Sequence, residues 1–429
     1  MKSVFILGFF TLFTAAIIIT AKFRDSGQRD VIGQQVLATG YVNTNDAISL
    51  LIDQLKNDPK NDKLKKRLGF TLIQKARQSG SAGLYDPQAL QLFEEILKEN
   101  KNDFEALIGK STVLLSQHHF AEALVSGQEA LIQNPYSSSV YGVLTDAYVE
   151  TGNYNKAIES ADQMASLHPD LRSYSRISYL REIHGDMNGA IEAMDMAVKA
   201  GIPGMEETEW ARYQLGYLYE RSGKLMEADL QYQSCVFFKA DFAAAYIGKG
   251  RIFQKQKNYL EAERFFKLAQ NLSTDYSIDE HLSRLYREKN EQTKAAIAIR
   301  QSIEKLVGKD GKGSVHGHYA DRELAGLYLE SYDYKKALHH ALLEYERRPE
   351  NIDVNHTIAW TYYKLGEYSK ALVHITKARV TNSQDPELLF HAGLIHLKNN
   401  ERLLGQKEMG EALAINPHLD LRTQLEAKF

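Results

Sequence analysis

The sequence predicts an all-α fold, a superhelical solenoid of about ten helix-turn-helix repeats. Three observations carry this. Small residues recur at Ala123, Ala157, Ala190, Ala228, Ala262, Ala295, Ala337, Ala371 and Gly405, at steps of 34, 33, 38, 34, 33, 42, 34 and 34 residues. A period near 34 is the signature of an array of helical hairpins. Each small residue opens a short amphipathic segment, such as YNKAIESADQMASLHP or YSKALVHITKARVTNS. Five of the eight prolines (Pro59, Pro135, Pro169, Pro349, Pro417) fall at repeat ends, where a residue that cannot continue a helix acts as a stop signal.

Within one period the pattern reads as two helices. Leu144 and Tyr148 are four apart and share a face of the first. Gly152-Asn153 breaks it, because glycine readily takes the left-handed conformation at a helix end. Tyr154, Ala157, Ala161 and Met164 line one face of the second helix, and Pro169 ends it. Two helices approach closely only if little side chain stands between their axes. The Ala and Gly ladder therefore sets the hairpin geometry. The large residues Tyr148, Tyr219, Tyr286, Tyr328 and Tyr362 fill the gaps between neighbours.

Along the chain, Val4 to Ala21 form 18 residues without a charge, flanked by Lys2, Lys22 and Arg24. Residues 1–21 read as a signal peptide or an N-terminal membrane anchor. No clean small-x-small cleavage site follows, which favours the uncleaved anchor. Either reading implies export and places the array at the cell envelope, membrane-anchored or periplasmic. Residues 22–43 have no sustained period and read as a linker. Residues 44–417 are expected to be solenoid. Residues 46–59 look like the second helix of a repeat alone. Full repeats are expected near 62–102, 104–137, 138–170, 171–203, 209–242, 243–275, 276–308, 318–351, 352–385 and 386–417. The first carries about eight extra residues in its turn, QSGSAGLYD. Insertions AGIPGMEETEW and VGKDGKGSVHGH lengthen the connections before Trp210 and Tyr319. Residues 418–429 read as a polar capping helix, since terminal units of such arrays are atypical.

The recurring residues resemble the tetratricopeptide repeat. RYQLGYLYERSGKLMEADLQY carries Leu215-Gly216, Tyr219, Gly223, Ala228 and Tyr232. IAWTYYKLGEYSKALVHITKA carries Ala359, Tyr362, Gly366, Tyr368, Ala371 and Ala378. The resemblance covers roughly 62–417 and implies a right-handed superhelix whose first helices face a concave groove. Segments such as SYSRISYLREIHGDMNGAIEAMDMAVKAG also look similar to stretches of uncharacterised bacterial repeat proteins.

Mapped by that resemblance, the inward positions begin with Thr112, Leu115, Asp146 and Glu150. They continue through Tyr179, Trp210, Tyr213, Tyr217, Arg251, Lys255, Arg284 and Arg287 to Tyr319, Arg322, His356, Trp360 and Tyr363. Trp, Tyr and Arg are the residue types most often found as binding hot spots. The expected partner-binding groove is therefore Tyr179, Trp210, Tyr213, Tyr217, Arg251, Arg284, Arg287, Tyr319, Arg322, Trp360 and Tyr363. The bland alternative is that the tyrosines are spacers and the arginines pair with Glu220, Glu280 and Glu288. The fifth positions run Ile108, Gly142, Ser175, Tyr213, Ile247, Glu280, Arg322, His356 and Phe390, and no ninth position is Asn. The carboxylate clamp of chaperone-docking members is thus missing.

Chemistry finds little support. The chain lacks HExxH, GxSxG, CxxC and GxGxxG. GKDGKGS at 308–314 lacks the Lys before Ser314 that a phosphate loop requires. His316 and His318 alternate with Asp321 and Glu323 nearby in sequence, but a metal needs a third and usually a fourth ligand, and an exposed loop is the expected reading. His118-His119 and His339-His340 are adjacent, so each pair should point to different faces. The single cysteine, Cys235, reads as a small buried apolar residue. Net charge is −3, from 52 basic and 55 acidic residues, with no basic run, so nucleic acid is not the expected partner. The expected function is a non-enzymatic scaffold without cofactor or metal, holding a partner protein or extended peptide. The alternative is an accessory subunit of an envelope polysaccharide- or metal-handling system.

Overall fold

The computed structural model describes residues 44–79, 82–307 and 319–419. The anchor or signal segment 1–21, the linker 22–43, the loop bearing His316 and His318, and residues 420–429 lie outside them. The chain divides into two compact units, Met1–Asp58 and Pro59–Phe429. The first contributes one described helix, α1 (Thr44–Asn57), with an Asp53–Lys56 ion pair of 2.8 Å. Among the described residues there are 21 helices and no strand. None of those helices is long and apolar enough to cross a membrane.

The second unit is ten helical hairpins. Hairpin 1 is α2 (Asp62–Ser79) with α3 (Ala82–Glu99), and hairpin 2 is α4 (Phe104–Ser116) with α5 (Phe120–Gln133). Hairpin 3 is α6 (Ser138–Glu150) with α7 (Tyr154–Leu167), and hairpin 4 is α8 (Leu171–Ile183) with α9 (Met187–Ala200). Hairpin 5 is α10 (Glu206–Arg221) with α11 (Leu225–Phe238), and hairpin 6 is α12 (Ala243–Lys255) with α13 (Tyr259–Leu272). Hairpin 7 is α14 (Tyr276–Glu288) with α15 (Gln292–Val307), and hairpin 8 is α16 (Asp321–Glu330) with α17 (Tyr334–Arg347). Hairpin 9 is α18 (Ile352–Lys364) with α19 (Tyr368–Ala378), and hairpin 10 is α20 (Pro386–Lys398) with α21 (Arg402–Ile415).

The small ladder packs as its chemistry requires. Ala123, Ala157, Ala190, Ala228, Ala262, Ala337 and Ala371 are fully buried. Each has a second small residue twelve positions earlier on the facing helix: Ser111, Thr145, Ser178, Gly216, Gly250, Ala325 and Ala359. Where that residue is serine, its hydroxyl donates to the ladder carbonyl. Ser111 bonds Ala123 O at 2.8 Å, Ser178 bonds Ala190 O at 2.7 Å, and Ser283 bonds Ala295 O at 2.9 Å. A buried hydroxyl is thus satisfied without spreading the helices. At Gly393 and Gly405 the backbones themselves meet, and a Cβ on Gly405 would lie 2.6 Å from Gly393 O.

Rings on the second helices plug adjacent hairpins together. Phe93 sits between Gly69 and Gly109, where an added Cβ would lie 2.6 and 2.3 Å from its ring. Tyr232 occupies the same kind of slot between Gly216 and Gly248, at 2.6 and 2.7 Å. Cys235 is fully buried, and its Sγ donates to Glu209 O at 3.4 Å.

The hairpins do not simply trail off in one direction. The turn of hairpin 2 meets the start of hairpin 8, where Tyr319 N–H donates to Gln117 O at 3.2 Å. The turn of hairpin 3 meets the start of hairpin 9, where Ile352 N–H donates to Tyr154 Oη at 2.9 Å. The turn of hairpin 4 meets the start of hairpin 10, since a Cβ on Gly185 would lie 2.7 Å from Asn382 O. The turn of hairpin 5 meets the end of hairpin 10 through Asn416 Nδ2, which donates to Glu220 O at 3.3 Å. The offset is six hairpins in the first three contacts, and in the fourth the chain leaving hairpin 10 occupies the place that the start of an eleventh would take. The second unit is therefore a superhelix of more than one turn, with the second turn stacked on the first along a continuous seam.

The seam explains a backbone pattern. The residue closing each hairpin turn takes positive φ in hairpins 2 to 10. At the seam it is Gly152, Gly185 and Gly223, with φ of 79°, 83° and 72°, and in hairpin 2 His118, with φ of 63°, whose side chain itself bonds Tyr319 O. A Cβ on Gly152 would lie 2.6 Å from Glu350 O, and one on Gly223 3.1 Å from Pro417 Cδ. Away from the seam the same position is Lys257, Asn290, Tyr332 or Asn400, or Gly366 with nothing within 4 Å. Positive φ alone is tolerated by several residue types. Where a second backbone lies against the Cα itself, as at Gly152 and Gly185, glycine is required.

Candidate functional site

The first helices of the hairpins face inward, and the second superhelical turn brings hairpins 8 to 10 opposite hairpins 2 to 5. The interior is wet and charged. Water reaches 37 % of Tyr179 and 36 % of Tyr217. Neither phenol makes a hydrogen bond among the described residues. Burial, then the carboxylates of Asp353 and Glu150, push the Tyr179 hydroxyl well above its ordinary pKa. Tyr217 lies between two guanidiniums, Arg251 at 5.2 Å and Arg221 at 5.6 Å from its ring. Cations over a ring face are attracted by its quadrupole.

Most expected groove arginines are already neutralised. Arg251 donates to Glu220 at 2.9 Å, to Tyr213 Oη at 3.2 Å and to Tyr232 Oη at 3.0 Å. Glu220 is buried, yet Arg251 and Lys255 outweigh that burial and lower its pKa. Arg284 bridges Glu280 at 2.6 Å and Glu330 at 3.0 Å, and Arg287 reaches Glu330 at 2.7 Å. Arg322 lies 3.5 Å from Asp353. Burial works against its charge, but Asp353 and Glu150 more than compensate. Glu150, Glu182 and Glu280 all have raised pKa values, caused first by burial. Each of these groove arginines has a carboxylate partner, whereas Glu387 is exposed and has no ion pair among the described residues.

The other expected positions go elsewhere. Trp210 is 44 % exposed near the start of α10. Tyr363 is buried in the core of hairpins 9 and 10. Trp360 is held in a stack, 3.5 Å from the His391 ring, 4.8 Å from Tyr363 and beneath Lys364 at 4.5 Å. His391 accepts or donates to His356 across 2.9 Å. Tyr319 belongs to the seam. Its ring stacks on His119 at 4.3 Å and beneath Arg347 at 4.3 Å, and its carbonyl accepts from His118 Nδ1 at 2.9 Å. The adjacent His118 and His119 thus converge on one residue instead of diverging, because Tyr319 wraps the turn that carries both. Among the described residues no group of three or more His, Cys, Asp or Glu could hold a metal ion.

Sequence reasoning missed the seam charges. Arg348 pairs with Glu150 and Glu344, and its guanidinium lies 4.6 Å from the Phe120 ring. Arg221 pairs with Glu182 at 2.5 Å and with Asp385. The one available signal was the run of glycines at three consecutive turns.

Fold and interior define a helical-repeat solenoid with a lined inner face. A family model described as "Tetratricopeptide repeat" matches residues 243–276, the α12–α13 hairpin. That hairpin matches the tetratricopeptide repeat, and the other nine hairpins of the second unit share its helix-turn-helix form. No curated protein matches it in sequence. Among solved structures, the human IFIT1 dimer with m7Gppp-AAAA is 14 % identical, with TM-score 0.51, covering 79 % of this chain and 77 % of that one. A tetratricopeptide repeat protein from Parabacteroides merdae is 18 % identical, with TM-score 0.44 over 56 % and 91 %. A thermophilic TPR protein of Thermus thermophilus is 23 % identical, with TM-score 0.40 over 45 % and 99 %. At these identities the likeness concerns the fold alone.

Proposed function

We propose that the chain is a non-catalytic scaffold that holds an extended segment of a partner protein along its interior. The observation that carries this is the pair of accessible, unbonded phenols, Tyr179 beside the carboxylates of Asp353, Glu150 and Glu182, and Tyr217 beside Glu220 and the paired guanidiniums of Arg221 and Arg251. Rings and carboxylates together suit Lys or Arg side chains. The segment we favour is therefore basic. A polyanion of the kind bound by IFIT1 finds no surplus of cations here, since the interior arginines are paired. The uncharged 4–21 segment supports an envelope location, which fractionation of cells carrying the chain with and without residues 1–21 tests.

The interior reading is tested by selecting unstructured peptides from a displayed library on the full chain. Lys- and Arg-rich sequences should be enriched. The Tyr179→Ala/Tyr217→Ala double variant should bind them about 30-fold more weakly, as loss of a hot spot of about 2 kcal/mol implies. Acidic sequences, or equal binding by the double variant, would refute it.

A further inference from the structure

Contacts between neighbouring hairpins are built on apolar clusters, as around Leu285 and Leu215, with ion pairs such as Glu263–Lys289 beside them. The seam between superhelical turns differs. Its contacts are ion pairs and isolated hydrogen bonds: Glu150 with Arg348, Arg221 with Asp385, Asn351 Nδ2 with Glu150 O at 3.2 Å, and Lys255 Nζ with His418 O at 3.3 Å. One aliphatic side chain, Ile352, joins the core of the facing turn. A cleft of about 380 Å³ opens in the seam between Asn153, Asn155, His184, Glu350 and Thr381.

The seam also concentrates unmet polar groups. Among the described residues, five buried side-chain atoms lack a hydrogen-bond partner, and Glu323 Oε2, Arg348 Nη2 and Thr381 Oγ1 are three of them. Glu323 faces His118 across the seam at 3.9 Å, and Thr381 lines the cleft. A buried polar atom without a partner is destabilising, and water satisfies it once the surface opens. Closing the seam therefore carries a penalty that hairpin stacking does not.

We propose that the seam is a reversible latch: the second superhelical turn lifts off the first as a unit, with every hairpin intact. This rests on the seam geometry and holds whichever partner occupies the interior. Opening gives lateral access to Tyr179 and Tyr217. Salt favours it, because the Arg221–Asp385 pair is partly exposed and is screened.

Native-state hydrogen exchange on the full chain tests this, with Ile352 as reporter. Its amide lies at the first position of α18 and its seam bond to Tyr154 Oη is the one that protects it. Ile352 should exchange at least ten-fold faster than Phe266 and Leu282, and faster still as salt rises to about 0.5 M. Gly152→Ala and Gly366→Ala carry the same backbone strain, at φ of 79° and 78°. Gly152→Ala alone adds a clash across the seam. It should speed Ile352 exchange a further ten-fold, although it lies in a different hairpin. Gly366→Ala, in the hairpin of Ile352 itself, should not. Exchange of wild-type Ile352 at the rate of Phe266 and Leu282 would overturn the latch without any variant. Equal acceleration by both variants would reduce it to fraying of α18.

Discussion

Ala190 shows what one methyl group decides in this chain. It is fully buried, and its carbonyl accepts from Ser178. A larger side chain there must push α8 and α9 apart or leave its rotamer, which typically costs about 1–3 kcal/mol. Ala190→Leu should lose that much in urea denaturation. Ala121→Leu, at an exposed site on α5, should stay within about 0.5 kcal/mol. The ladder that includes Ala190 was legible because Ala and Gly recur at it almost without exception. Its partner ladder was not. Ser111, Thr145, Ser178, Gly216 and Ala325 share smallness but not identity, and a hydroxyl that bonds a facing carbonyl counts as small only once the facing helix is known.

At the scale of helices, charge fixes contacts that apolar packing leaves free to slide. Glu263 on α13 accepts from Lys267 at 2.7 Å, from Tyr286 Oη at 3.0 Å and from Lys289 at 2.7 Å. The last two come from α14 and its cap, so one carboxylate ties hairpin 6 to hairpin 7. Burial alone would raise its pKa, but these three donors win and hold it at about 2. The folded value lies below the ordinary 4.5. The carboxylate therefore stabilises the fold above about pH 4.5, and that contribution is lost as pH falls toward 2. Glu263→Gln should be less stable than wild type at pH 7 and indistinguishable from it at pH 2, by thermal denaturation at each pH. Stability curves that run parallel across this range would show that the three donors do not act through charge. Helix pairs and their turns were readable from period, glycine and proline. Two carboxylate partners of the interior arginines, Glu220 and Glu280, were readable as the alternative to an open groove, but Glu330 was not. Glu330 comes from the next hairpin, across the 308–318 insertion, so no spacing within one repeat announces it.

At the scale of the whole molecule, the seam changes what kind of object the array is. An open solenoid has nearest-neighbour contacts, and a perturbation fades with distance along the chain. Here hairpin 3 touches hairpins 2 and 4 in sequence and also hairpin 9, through Glu150, Tyr154 and Asn351. The ladder spacing cannot reveal this. It fixes how closely two helices pack, whereas superhelical pitch follows from small rotations accumulated over six repeats. The glycines at 152, 185 and 223 are the trace such stacking leaves in the sequence, and they become meaningful only beside the non-glycine turns of hairpins 6, 7, 8 and 10. The coupling this creates has a direction that hydrogen exchange can read. Ala157→Leu overpacks hairpin 3 and displaces its turn. Exchange should accelerate at Val354 and Ile358 in hairpin 9, six units away, more than at Phe266 in hairpin 6, three units away. A purely linear array demands the opposite order. Finding protection that falls off steadily from hairpin 3 to hairpin 9 would mean that the stacked turns touch without exchanging energy.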